Sequence, residues 1–395
     1  MTDLDQRRDG APAAARRPAG GPLDALRHAA PALLGVAAVR ALGAAVLAVW
    51  CAAAGRSPHQ LLAARWDSLW YTRVAEHGYG WRVVLPDGTV HTNYAFFPLL
   101  PWLERLGAAL TPLSAADTGL LVAALGSLAA GWGVFAVADL LYGRRAGVCA
   151  AVLWAAVPVG VVQSMAYSES LFTALAAWTL YAALARRWPA AGLLACLAGL
   201  TRPVGLAAAA AVWATVALVW VRERPADRGE RWRMAAGAVL APLGAAGFVL
   251  WVGHRTGGGL LGYLDVQAQW GNGFDGGAAF ARFAGARLAG FPSVFAGLAL
   301  VAGVALVVWV YARCLRGGQP PALWVYCGLV VVLALCARGY FGSKPRLLLP
   351  AFPLLLPAAV ALARARPGRS AAVLGTLTAL SAVYGAFWLL GSGPP

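Results

Sequence analysis

Chemistry has few places to reside in this chain, because only 16 of its 395 residues are acidic. Asp3, Asp5, Asp9 and Asp24 lie in an N-terminal stretch of Arg, Pro and Ala. Glu223, Asp227 and Glu230 share a basic loop, and Asp139 sits near a helix end. The remaining acids are Asp67, Glu76, Asp87, Glu104, Asp117, Glu169, Asp265 and Asp275. Asp67 is distinctive among them for its setting in Arg65-Trp66-Asp67-Ser68-Leu69-Trp70-Tyr71, where aromatic neighbours draw a carboxylate toward a membrane interface. One reading is a general base whose pKa is tuned by partial burial and nearby arginine. The other is an interfacial helix cap flanked by Trp anchors.

Glu169, in Ala166-Tyr167-Ser168-Glu169-Ser170, stands where a turn enters a helix. Acids are favoured at helix N-termini for electrostatic reasons, yet ionisable groups at membrane depth commonly mark function. The stretch Arg338 to Arg346 gathers Arg338, Lys344 and Arg346. Guanidinium binds phosphate through paired N–H donors and ammonium binds it as a point charge, so this loop suits either an anionic ligand or lipid headgroups. Gly271 to Gly277 reads as a turn-rich loop, with Gln267 and Trp270 able to bond or stack on a sugar and Asp275 suited to turn chemistry. The histidines at 28, 59, 77, 91 and 254 have no ligand spacing, and no Walker or Rossmann glycine pattern is present. No protein-built metal site is expected. The six cysteines lie in or beside apolar runs without paired spacing and read as small core residues.

The elements that must hold these groups are membrane helices. Hydrophobic residues make up 60% of the chain and charged residues 12%, a balance foreign to soluble domains. The 32 basic residues that give a net charge of +16 fall in short clusters between apolar runs, which argues for topology signals and against nucleic-acid binding. A single lysine, Lys344, among many arginines, with abundant Ala and Gly, fits a GC-rich coding bias. Runs of about 20 apolar residues match a hydrocarbon core of about 30 Å. Spans are expected at 31–54, 118–141, 146–162, 170–185, two within 189–221 with Arg202-Pro203 at their hairpin, 234–254, 291–313, 322–337, 347–364 and a last one ending near 390. This makes an all-α polytopic protein of about 11 helices. Residues 1–28 are expected to form a disordered cytoplasmic tail, 29–391 one transmembrane domain and 392–395 a C-terminal tail. The arginine clusters put the N-terminus in the cytoplasm and loops 55–117, 255–290 and 338–346 outside. Residues 96–110, with Glu104-Arg105 and two prolines, read as an interfacial amphipathic helix.

Several of these segments together resemble a known family. Trp66-Asp67, Glu76-His77-Gly78-Tyr79 and Asn93-Tyr94-Ala95-Phe96-Phe97-Pro98 with Pro101 resemble the first motif of the PIG-V family, which adds the second mannose of the GPI anchor core, and of its bacterial relatives. Ala166 to Phe172 is similar to a second motif, and Thr201-Arg202-Pro203-Val204-Gly205 to a looser third that lacks the polar residues of the eukaryotic form. Ser343 to Pro350 with Phe352-Pro353-Leu354 resembles the proline-rich tenth helix of bacterial members.

The resemblance implies a GT-C glycosyltransferase at the cell membrane. It would move a hexose, usually mannose, from a polyprenyl phosphate to an acceptor at the non-cytoplasmic face, with inversion. Asp67 matches the acid such enzymes use as base. Arg346, Lys344 and Arg202 would meet the donor phosphate. Trp66, Glu76, His77, Tyr79, Asn93, Tyr167, Glu169, Gln267 and Trp270 would contact substrate. No cofactor or metal is implied as essential. The acceptor is a glycolipid, a polysaccharide or a protein, and arabinose or glucose donors are alternatives to mannose. A transporter or flippase is the rival from another class, with Arg40, a charge within the first span, unexplained by the enzyme reading.

Overall fold

The computed structural model describes residues 21–391 and 393. Six helices are long and apolar enough to cross a membrane: Pro22–Ala53, Ala115–Tyr142, Pro203–Glu223, Arg228–Thr256, Val294–Arg316 and Pro367–Leu390. Two bent pairs raise the number to as many as eight, and Glu169–Leu184, Trp188–Gly199 and Pro321–Cys336 are shorter helices beside them. The first helix begins earlier than the sequence suggests. Pro22 to His28, assigned to the tail, form its opening turns because Pro22 fits a first helical position, while Pro31 is accommodated inside. Residues 1–20 of the expected tail, and 392, 394 and 395 at the other end, lie outside the described residues.

Small residues let the helices approach closely, as is usual where lipid supplies no hydrophobic drive for helix pairing. A Cβ on Gly192 would lie 2.4 Å from the Gly237 carbonyl oxygen, and one on Gly126 would lie 3.0 Å from the Leu171 nitrogen. The core between the Ala115–Tyr142, Arg144–Ala155 and Glu169–Leu184 helices is correspondingly rich in alanine, including Ala130, Ala138, Ala150 and Ala177. Large apolar side chains face outward instead. Phe295, Leu298, Val301, Leu306, Val308 and Trp309 are all exposed on Val294–Arg316, a face suited to lipid.

Two expected spans are broken. Residues 146–162 do not run straight: Arg144–Ala155 bends by 84° into the 3₁₀ segment Pro158–Ser164. Pro158 removes an N–H and forces Val157 to extended backbone, at φ −60° and ψ 147°. The tenth span bends by 69° between Phe341–Leu347 and Phe352–Arg364, around Pro350 and Pro353. The Trp154 indole donates to the Leu349 carbonyl at 3.1 Å, so the two breaks brace each other. Non-helical backbone at this depth is tolerated because it is buried in protein.

Polar loops cover one end. Leu99–Leu110 is a 12-residue helix, about 18 Å long and too short to span. It buries Leu100 and Glu104 and exposes Trp102, Leu106 and Leu110, the asymmetry of an interfacial helix. The all-α expectation needs a small amendment. Arg82–Val84 pairs antiparallel with Val90–Thr92, and Gly273–Phe274 with Ala337–Arg338. The second pair clips the loop before Val294–Arg316 to the cationic segment that follows Pro321–Cys336.

Candidate active site

Asp67 opens the Asp67–His77 helix, and the turn before it is strained. Trp66 has φ 54° and ψ −124°, a conformation costly for a residue with a Cβ, on the order of 1–3 kcal/mol. Three contacts hold it. The Ser68 hydroxyl donates to the Arg65 carbonyl at 2.6 Å and accepts from the Arg65 N–H at 3.0 Å. The Arg65 guanidinium lies 4.1 Å over the Trp66 ring and donates to the Leu389 carbonyl at 3.2 Å. The Asp67 N–H donates to the Tyr167 hydroxyl at 3.3 Å. The carboxylate is thereby fixed against the broken span, and its side chain stays 26% exposed.

Four charged groups then meet. Arg346 Nη2 lies 2.6 Å from Asp67 Oδ2, and its Nε lies 3.7 Å from Glu169 Oε1. Glu169, fully buried, is ion-paired with Arg202. Two carboxylates and two guanidiniums balance, which is the arrangement that makes burial of charge bearable. Neutral groups fill the gaps. Arg346 sits 5.1 Å over the Tyr167 ring, Arg202 Nη1 donates to the Ser168 hydroxyl at 3.3 Å, and Ser168 bonds the Tyr71 hydroxyl at 2.9 Å. Burial pushes the Tyr71 phenol above its usual range, so it remains a neutral hydrogen-bonding group. Two donors are left over: Arg346 Nε and Nη1 are buried without a hydrogen-bond partner.

Both breaks in the spans serve this cluster. The first releases the chain as Tyr167-Ser168-Glu169, and the second turns Arg346, in the short Lys344–Leu347 turn, into the cluster. Arg40 belongs to the first break, where its guanidinium donates to the carbonyls of Ala155 and Gly160, with the Ser381 hydroxyl on Val157 O at 2.8 Å. The intramembrane charge thus has a partner in the orphaned carbonyls of a broken helix.

The other candidate residues are placed differently. The Lys344 ammonium donates to the carbonyls of Ala334 and Ala337 rather than joining Asp67. Asn93, fully buried, accepts from the Gly80 N–H and donates to the Gly78 carbonyl, closing the turn around the hairpin. The Tyr79 hydroxyl donates to the Phe96 carbonyl at 2.8 Å. Gln267 donates to the Tyr263 hydroxyl at 2.7 Å, and the Trp270 indole donates to the Thr92 carbonyl at 3.1 Å. Trp270 also stacks on His91 at 4.3 Å and meets Trp70 at 4.7 Å. These residues stitch the polar loops together. Glu76 and His77 are 3.7 Å apart at the helix end. Asp275 accepts from the N–H groups of Gly277 and Ala279, the turn chemistry its sequence suggests. Tyr71 and Ser168 are the partners the sequence reading did not assign. The signal for Tyr71 was its place four residues after Asp67, one helical turn away.

The fold has a counterpart among solved structures. ArnT from Cupriavidus metallidurans bound to undecaprenyl phosphate superposes with a TM-score of 0.52 at 19% identity, over 87% of this chain and 62% of that one. The chain has the GT-C fold. It spans about three fifths of the length of that ArnT structure. Archaeal AglB from Archaeoglobus fulgidus, an oligosaccharyltransferase in complex with an inhibitory peptide and a dolichol-phosphate, aligns with a TM-score of 0.49 at 14% identity, over 91% of this chain and 56% of that one. No protein-family model and no curated protein matches the sequence. Within the GT-C fold, Asp67, Glu169, Arg202 and Arg346 form its buried charge cluster, at the end of the membrane core that the polar loops cover.

Proposed function

We propose that this chain is a membrane glycosyltransferase that moves a hexose, mannose in the first instance, from a polyprenyl phosphate to an acceptor hydroxyl at the extracytoplasmic face. The observation that carries the reading is the contact of a partly exposed carboxylate, Asp67, with a buried guanidinium, Arg346, that keeps two donors without a hydrogen bond. The fold shared with an ArnT bound to undecaprenyl phosphate supports the donor class. The motif resemblance supports mannose, with arabinose or glucose as the alternatives.

The chemistry follows from the contacts. In the resting site Arg346 occupies one oxygen of the Asp67 carboxylate. A donor phosphate entering the cluster takes the unpartnered Nε and Nη1 donors and competes for the rest of the guanidinium, releasing the Asp67 carboxylate from its ion pair when substrate is present. The acceptor oxygen then attacks the anomeric carbon in line, and its proton passes to the Asp67 carboxylate. The bond from the anomeric carbon to the phosphate oxygen breaks, and polyprenyl phosphate leaves with its charge met by Arg346 and Arg202. The anomeric centre inverts. Two arginines at the leaving group make a metal unnecessary to this scheme. Loss of activity in EDTA with recovery on one divalent ion would overturn that part.

The decisive assay supplies radiolabelled polyprenyl-phosphate mannose, arabinose and glucose in turn to membranes carrying wild type or Asp67→Asn. Transfer from one donor by wild type, reduced about 10²- to 10⁴-fold by the substitution, is the expected result. Equal transfer by both removes Asp67 as base. Solute movement by vesicles with no sugar transfer gives the chain to the transporters.

A further inference from the structure

The opposite end of the molecule carries a second anion-binding feature. Leu206–Glu223 starts four residues after Arg202 and runs for 18 residues, about 27 Å, away from the Asp67 cluster. At its far end Trp220, Val221, Arg224, Pro225 and Arg231 line an open cavity of about 360 Å³. The wall is amphipathic. Trp220 is 52% exposed and Val221 72% exposed, as suits side chains at the boundary between acyl chains and headgroups. Arg224 ends the helix in left-handed backbone, at φ 46° and ψ 64°, a turn that brings its residue beside the next helix.

Two of the three local acids are already engaged. Glu223 pairs with Arg186. Asp227 caps the Arg228–Leu240 helix through the N–H groups of Gly229 and Glu230, at 3.1 and 2.8 Å, and stands 3.7 Å from Arg233. Among the described residues neither Arg224 nor Arg231 forms a direct ion pair, although Asp227 feels the charge of Arg231 and Glu230 precedes it in the chain, so two guanidiniums without a direct partner face a cavity bordered by exposed apolar groups. Guanidinium in this setting is matched to a phosphodiester with acyl chains below it.

We propose that this cavity binds the headgroup of an anionic phospholipid, with the phosphodiester on Arg224 and Arg231 and an acyl chain along Trp220 and Val221. The site is independent of the transferase reading and lies about a membrane thickness from the proposed catalytic residues.

The test uses the purified full chain in nanodiscs of equal phosphatidylcholine and phosphatidylglycerol, with retained lipids counted by native mass spectrometry. Wild type should retain phosphatidylglycerol over phosphatidylcholine by about tenfold. R224A/R231A should lose that preference, R224K/R231K should keep part of it, and R313A/R316A should keep all of it, since Arg313 and Arg316 end a different helix. The partial retention by the lysine variant separates lost charge from lost folding. Wild type without preference, or an equal loss in R313A/R316A, overturns the site in favour of diffuse surface charge. Displacement of the lipid by inorganic phosphate alone overturns the lipid as its ligand.

Discussion

Arg346 Nη2 stands 2.6 Å from Asp67 Oδ2, joining the first polar loop to the segment after Pro321–Cys336. Arg346 is the group paired with Asp67 in the resting site and, in the proposed scheme, the one freed to meet a leaving phosphate. Arg346→Ala should lower kcat for sugar transfer at least 10²-fold, about 2.7 kcal/mol of barrier, because both roles are lost together. Arg346→Lys should recover part of kcat, since it keeps the charge but not the paired donors. Steady-state kinetics on the two variants checks this, and a change confined to KM would sink the assigned role.

Glu169 and Arg202 form the buried half of the cluster, and removing one leaves the other charged without its partner. Arg202→Met should destabilise the protein by about 3–5 kcal/mol, and Glu169→Gln by a comparable amount, read as loss of melting temperature in detergent. The double variant Glu169→Gln/Arg202→Met should be more stable than the sum of the singles. Simple additivity in that cycle would show that the two side chains do not depend on each other.

What the sequence made legible follows from periodicity and charge. Runs of apolar residues set the helical membrane class, the arginine clusters suggested the order of loops, and Arg202-Pro203 marked a hairpin that the Trp188–Gly199 and Leu206–Glu223 helices form. Asp67, Glu169, Arg202 and Arg346 were each visible as charges out of place. Their mutual pairing was not, because it depends on where two proline-broken spans bend, and bend angles are set by packing against neighbours such as Trp154 on Leu349. Lys344 shows the same limit. Two residues from Arg346, it spends its ammonium on the carbonyls of Ala334 and Ala337. Gln267 and Trp270 read as substrate contacts because polar and aromatic types suit sugars, and Asn93 because of the motif resemblance. Each also donates to backbone or a neighbouring side chain, which the sequence does not reveal.

Arg40 should matter to the site without touching it. Its guanidinium holds the carbonyls of Ala155 and Gly160 at the 84° bend that releases Tyr167 and Glu169. Arg40→Ala strands those carbonyls in an apolar setting and should cost about 2–4 kcal/mol of stability, with a fall in kcat and little change in KM. Arg40→Lys should be milder, since an ammonium can satisfy one carbonyl. Full stability in Arg40→Ala, measured by thermal unfolding in detergent, would show that the break holds without it.

Glu104 gives a pH signature in the first polar loop. It is fully buried on the Leu99–Leu110 helix, both carboxyl oxygens lack hydrogen-bond partners, and its Oε1 lies where a Cβ on Gly119 would come within 2.6 Å. Burial, with a smaller contribution from Glu76, raises its pKa well above the ordinary 4.5. A carboxyl with a raised folded pKa holds its proton more tightly in the folded state than in the unfolded one. Its stabilising contribution is therefore complete below the unfolded pKa and is lost as pH climbs from about 4.5 toward the folded pKa. Wild type should melt at progressively lower temperature as pH rises above about 4.5, whereas Glu104→Gln, which cannot ionise, should lose this slope. The comparison is of slopes, so a uniform loss of stability in the variant does not disturb it. Parallel melting curves for the two proteins across that range would mean that Glu104 does not carry its proton into the neutral range.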